Sequence, residues 1–127
     1  MSQNNIFDSF EEVRQLISEY SIEDLQYKMS HNQDFILIDI REDHEWLTGH
    51  IPSAIHLKRG NLTTEISQIV PDKNQEIILY CAIGFRSALS ALELENIGYT
   101  NVYSLYGGII RWDDLGLTVE MPLSNVK

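Results

Sequence analysis

The chain has 127 residues, 43% of them hydrophobic and 22% charged, which is the size and balance of one globular domain around a single sizeable core. Nineteen acidic residues against nine basic ones leave a net charge of -10; this excludes non-specific binding to nucleic acid or an anionic membrane, both of which rest on clustered Lys and Arg. No apolar run approaches the roughly 20 residues of a membrane-spanning helix, MSQNNIFDSF has no basic-then-apolar leader pattern, and the one cysteine cannot close an internal disulfide, so a cytoplasmic location is expected.

Residues 6–18, carrying Phe7, Phe10, Val13, Leu16 and Ile17, predict an amphipathic helix ahead of the first strand. Ser21 and Asp24 have the spacing of a capping box and open a helix from Ile22 to about Ser30. Phe35-Ile36-Leu37-Ile38 is a continuous apolar run of the kind a strand covered on both faces shows. A short strand over 53–57 follows the turn at Pro52, and Thr63 or Thr64 caps a short helix that runs to Val70 and stops at Pro71. Residues 76–80 form the strongest strand candidate and 101–105 another. Between them, 86–97 is the clearest helix: Ala88, Ala91, Leu92 and Glu95 share one side, Leu89 and Leu94 widen the stripe, and Gly98 ends it. Strands alternating with helices predict an α/β fold on a mostly parallel sheet. The expected layout is a helical extension over 1–18, one domain over 19–120 and a tail over 121–127, with no internal repeat.

The lone cysteine, Cys81, stands where the strongest strand ends and the loop to the clearest helix begins. Parallel α/β sheets bind ligands beyond the carboxyl ends of their strands, and Asp39 sits at another such end. Gly84 lets the backbone curl so that N–H groups point inward, and the following helix N-terminus adds unpaired N–H groups and the positive end of its dipole. With Arg86 across the turn, these features favour a thiolate, the nucleophilic form of cysteine. A lone cysteine beside a strand is more often only a small buried hydrophobe. A glycine, an arginine and a helix start within six residues turn that balance towards an activated nucleophile.

Asp39 suits either the floor of a site or a buried ion network. Arg41 suits the network, paired with Glu45 or another nearby carboxylate, because charges stay buried only when paired. His50 lies in a Gly-His-Ile-Pro turn and reads as packed and hydrogen-bonded, while His31, His44 and His56 have no metal-ligand spacing, so no metal or cofactor is expected. Gly107 and Gly108 allow backbone and helix to approach closely, and Trp112 reads as a core anchor.

Cys81-Ala82-Ile83-Gly84-Phe85-Arg86-Ser87, then Gly98-Tyr99-x-Asn101-Val102-Tyr103, then Leu105-Tyr106-Gly107-Gly108-Ile109-x-x-Trp112, together resemble the rhodanese (sulfurtransferase) domain. Upstream, Ile38-Asp39-Ile40-Arg41-Glu42-x-x-Glu45-Trp46-x-x-Gly49-His50-Ile51-Pro52-x-Ala54 is similar to that family's first signature, with Ser53 where the family often has glycine. The resemblance spans about residues 21 to 118. It implies a five-stranded parallel sheet with helices on both faces. It also implies that Cys81 attacks the outer sulfur of a donor and holds it as a persulfide, cradled by the amides of Ala82, Ile83, Gly84, Phe85 and Arg86, with Asp39, Arg41, Gly107 and Gly108 in support. Cysteine phosphatases on a similar scaffold use Cys-x5-Arg; the Cys-x4-Arg spacing here forms a tighter loop suited to one sulfur atom and disfavours phosphatase chemistry.

The donor would be thiosulfate or a persulfide, and the acceptor a small thiol, cyanide or a partner protein of a sulfur relay, since no second cysteine can resolve the persulfide internally. Ile83 and Phe85, with only Arg86 in the loop and Lys58 and Arg59 as candidates nearby, suggest that free thiosulfate is a poor donor and that an apolar or protein-borne persulfide is the physiological one. The rival reading is a docking module of the same fold, with the N-terminal helix extending an interface or forming a homodimer.

Overall fold

The apolar runs line up side by side in a computed structural model, which describes residues 9–122. In chain order the elements are α1 (Phe10–Arg14), β1 (Ser18–Tyr20), α2 (Ile22–Ser30), β2 (Ile36–Asp39), α3 (Asp43–Trp46), β3 (Ile55–His56), α4 (Arg59–Ile69), β4 (Ile77–Tyr80), α5 (Phe85–Asn96), β5 (Val102–Leu105) and α6 (Gly108–Asp114). The strands form one five-stranded sheet in the order β1-β5-β4-β2-β3, every neighbouring pair parallel. This is the α/β fold expected, with helices on both faces.

All four residues of β4 are buried, as a central strand covered on both sides requires. Alternation along the strand then sorts the core into two layers. Ile77, Leu79 and Cys81 face Leu62 and Ile66 of α4 and Ala91 and Leu94 of α5. Ile78 and Tyr80 face Leu25 of α2, Ile51, and Ile109 and Trp112 of α6. Each large aliphatic side chain buried this way contributes roughly 1.5–3 kcal/mol. Register pairs Ile38 with Leu79 and Asp39 with Tyr80, so β2 and β4 end level and Cys81 lies one residue beyond that edge.

Several boundaries differ from the sequence reading. The helix expected over 6–18 covers Phe10–Arg14, opened by a capping box between Ser9 and Glu12; residues 6–8 lie outside the described segment. The chain then straightens, because Ser18–Tyr20 find the open edge of β5 and pair with residues 103–105. Helix α4 begins at Arg59, four residues before Thr63, anchored by a backbone bond from the Arg59 N–H to the Ile40 carbonyl at 2.9 Å rather than by a threonine cap. The buried side of α5 is Ser87, Ala88, Ser90, Ala91 and Leu94, not Leu92 and Glu95. Its two small serines let the helix sit close to the sheet, and partial burial holds the Glu95 carboxyl above its ordinary value. Ser53 has a φ of 71°, in the left-handed region that glycine adopts without strain.

Candidate active site

Strand β4 delivers Cys81 to the sheet edge, where the thiol is fully buried. The loop then turns on Gly84, whose φ of 113° makes it the left-handed N-cap of α5. Two backbone groups converge on the sulfur: the Gly84 N–H donates to Sγ at 3.1 Å and the Ser87 N–H at 3.4 Å. The thiol itself lies 3.6 Å from the Ser87 hydroxyl, which donates to the Gly84 carbonyl at 3.1 Å and meets the Ser104 hydroxyl of β5 at 2.7 Å. N–H donors at the start of a twelve-residue helix place positive potential on that one atom.

Helix α6 holds the loop from the other side. The Ile109 N–H donates to the Cys81 carbonyl and the Ile110 N–H to the Ala82 carbonyl, both at 3.0 Å. Because trans peptides are planar, anchoring these two carbonyls turns the N–H groups of Ala82 and Ile83 away from α6. Gly107 and Gly108, at φ of 85° and 59°, make the turn that brings α6 this close. Trp112 is 4% exposed and its indole N–H donates to the Thr118 carbonyl at 2.7 Å.

Arg86 points to α3, where its two terminal nitrogens donate to Glu45 at 2.8 and 2.9 Å. Its hydrogen bond to Glu45 does most to hold the guanidinium above its ordinary value; burial opposes this, and the charges of Glu45 and the Cys81 sulfur add to it. Reciprocally, the Arg86 hydrogen bond lowers the Glu45 carboxyl from 4.5 to about 2 against the opposing effect of burial, with the Glu42 backbone N–H assisting. The folded value lies below the unfolded one, so the stability this pair contributes is complete above 4.5 and is lost as pH falls towards 2. Glu45→Gln should therefore remove roughly 1–2 kcal/mol of the stability lost between about pH 5 and about pH 2.5, as read by urea unfolding at the two pH values.

Arg41 does not reach Glu45, contrary to one expectation. It chelates Asp39, with Nε at 3.0 Å from Oδ1 and Nη2 at 2.8 Å from Oδ2, and also donates to the Gly49 carbonyl at 2.7 Å. Burial disfavours the Arg41 charge, but the hydrogen bond and charge of Asp39 outweigh it and raise the guanidinium's affinity for its proton. Tyr80 joins the same cluster: its hydroxyl accepts from the Ile51 N–H at 3.0 Å, and burial, then the Asp39 charge, push its ionisation far up. Asp39 is thus brought beside β4 without touching Sγ. His50 is packed and stacked on Trp46, ring centroids 3.8 Å apart. Lys58 lies 3.4 Å from Asp43, and Arg59 binds Ser90 and Glu93 at 3.0 and 2.8 Å.

The residues that sequence reasoning missed are Ser87 and Ser104 behind the sulfur and Glu45 as the partner of Arg86. Ser87 stood in the quoted motif, one position past Arg86, and the spacing of a helix's first turn already placed its N–H towards the loop. Nothing in the sequence marked Ser104, because its role depends on the β4–β5 pairing.

Comparison with known proteins agrees with this fold. A rhodanese-like domain model matches residues 21–115. A protein of Allochromatium vinosum named sulfurtransferase is 33% identical over 107 residues, covering 84% of this chain and 98% of that one. A tRNA uridine(34) hydroxylase of Buchnera aphidicola subsp. Baizongia pistaciae is 33% identical over 88 residues, 66% of this chain, which spans only 28% of that longer protein. In structure, a thiosulfate sulfurtransferase of Pseudomonas aeruginosa superposes with a TM-score of 0.80 at 24% identity, covering 89% of this chain and 22% of that one. The chain belongs to the rhodanese-like domain family.

Proposed function

We propose that the protein is a sulfurtransferase that carries a sulfane sulfur on Cys81. Two backbone N–H groups aimed at Sγ from the N-terminus of α5 carry this reading. In the loading step the Cys81 thiolate attacks the outer sulfur of thiosulfate or of a persulfide. A new S–S bond forms at Sγ, the donor's S–S bond breaks, and its electron pair leaves with sulfite or with a thiolate. In the second step an acceptor (a small thiol, cyanide or a partner protein) attacks the outer sulfur, and the Sγ–S electron pair returns to Cys81. This is covalent catalysis in two half-reactions with ping-pong kinetics. Negative charge on the outer sulfur meets the preorganised amides of residues 82–86, an arrangement of the oxyanion-hole kind. Asp39, Arg41, Gly107 and Gly108 act one layer back, by fixing the strand end and the loop. A working thiol with no internal partner suits a reducing cytoplasm.

Intact mass after incubation with a donor tests the reading. The wild type should gain about 32 Da, one sulfur atom, and lose it to cyanide, while Cys81→Ser gains nothing and transfers sulfur at least about a thousandfold more slowly. If folded wild type takes up no sulfur from thiosulfate or from a low-molecular-weight persulfide, the transferase reading fails and a docking module of the same fold replaces it.

A further inference from the structure

The charge of the loop's own arginine is cancelled. Arg86 is the one cation between Cys81 and the body of α5, and Glu45 takes both of its terminal nitrogens. The next cations are held in the same manner: Lys58 by Asp43, Arg59 by Glu93, and Arg14 by Glu11 and Glu19. Arg111 is the exception: exposed and in no ion pair among the described residues, it lines a groove beside the loop together with Asp114. The side chains presented at this edge are instead apolar. Ile83 is 59% exposed, Phe85 37%, Tyr106 47% and Ile110 49%. Phe10 of α1 packs edge-on against Phe85, ring centroids 5.3 Å apart, and lines the same groove as Ile83, Tyr106 and Ile110.

Resting on the sulfurtransferase reading, we infer that Glu45 is a specificity-determining residue: by cancelling the Arg86 charge it makes Cys81 load from a low-charge donor with an apolar body in preference to the thiosulfate dianion. Glu45 acts through Arg86 and touches no reacting atom, so it is a positioning residue. Its carboxyl stays ionised throughout the neutral range, because the Arg86 hydrogen bond lowers it to about 2. A dianion approaching Cys81 meets an Arg86 charge already taken by Glu45, on a protein of net charge -10. An aromatic or alkyl body meets Ile83, Phe85 and Tyr106, where burying its apolar surface is favourable.

The probes are thiosulfate and benzenethiosulfonate, with cyanide as the common acceptor. Both load Cys81 with the same outer sulfur, releasing sulfite from the first and benzenesulfinate from the second. The readout is the ratio of their kcat/KM values, because in a ping-pong scheme each reports the loading step alone. Wild type should favour benzenethiosulfonate. Glu45→Gln should raise the thiosulfate-to-benzenethiosulfonate ratio by about three- to tenfold, the effect of one unit charge felt more strongly by a dianion across partly screened space. Glu45→Asp, which keeps the charge, should hold the ratio near the wild-type value. Added salt should raise the same ratio in unmodified protein by screening the repulsion, a measurement independent of any variant's folding. A purely structural role for Glu45 would lower both kcat/KM values together and leave the ratio fixed, and that result overturns the inference. A ratio shifted equally by Glu45→Gln and Glu45→Asp overturns it too. If wild type gains no sulfur mass from either donor, the sulfurtransferase reading itself falls first and this inference falls with it.

Discussion

Gly108→Ala is expected to destabilise the protein by about 3 kcal/mol and to abolish most sulfur loading in the molecules that remain folded. Gly108 has a φ of 59°, where a side chain already costs roughly 1–2 kcal/mol. The larger cost is spatial. A methyl group there would stand 2.5 Å from the Cys81 carbonyl oxygen and closer still to that of Ala82. Neither neighbour is the flexible end of a side chain; both are backbone, and both carbonyls accept hydrogen bonds from the first turn of α6. Relief requires α6 to move off the loop, which breaks those bonds and frees the peptides of the proposed cradle. Gly84→Ala offers the comparison: its φ of 113° is also strained, yet the nearest backbone atoms to an added methyl lie at 3.4 and 3.6 Å. Urea unfolding together with intact mass after donor treatment checks the contrast. Gly108→Ala should lose both stability and loading, whereas Gly84→Ala should lose mainly the geometry of the N–H that reaches Sγ. Wild-type loading by Gly108→Ala would show that α6 does not fix the loop.

The strands were legible because their signal is local: Ile77 to Tyr80 and Ile36 to Ile38 are apolar throughout, and only a strand covered on both faces requires that in so short a run. Capping was legible at Ser21, where both partners lie within three residues. The failures share a cause. Strand β1 exists because β5 has an open edge, α6 because Cys81 and Ala82 present carbonyls to it, and the serine face of α5 because the sheet comes close. Each depends on a partner distant in sequence. At the site, the type and spacing of Cys81, Gly84 and Arg86 could be read directly. The pairing of two arginines with two carboxylates could not: the sequence points Arg41 to Glu45 or another nearby carboxylate and offers Arg86 no partner, because the Arg86–Glu45 contact joins residues 41 positions apart.

That pairing sets the second large effect. Asp39→Asn should cost about 3–5 kcal/mol, because it leaves the buried Arg41 charge without a counterion while barely changing shape. Asp39 is fully buried and Arg41 5% exposed, so water cannot take over the lost interaction, and the Gly49 carbonyl is the acceptor that remains to Nη2. The double variant Asp39→Leu with Arg41→Met should recover most of that loss. Replacing both charges by apolar groups of similar size removes the desolvation cost along with the attraction. The pair also separates two roles for Asp39, as scaffold or as part of the site floor. Asp39 lies level with Tyr80, one residue before Cys81, but its carboxylate is spent on Arg41 and on the Arg41 backbone N–H at 2.9 Å. If its work is to hold the end of β2 and the turn that carries Glu45, the double variant should load sulfur on Cys81 once its stability returns. Restored stability without restored loading would mean that the Asp39–Arg41 pair acts in loading beyond holding the strand end.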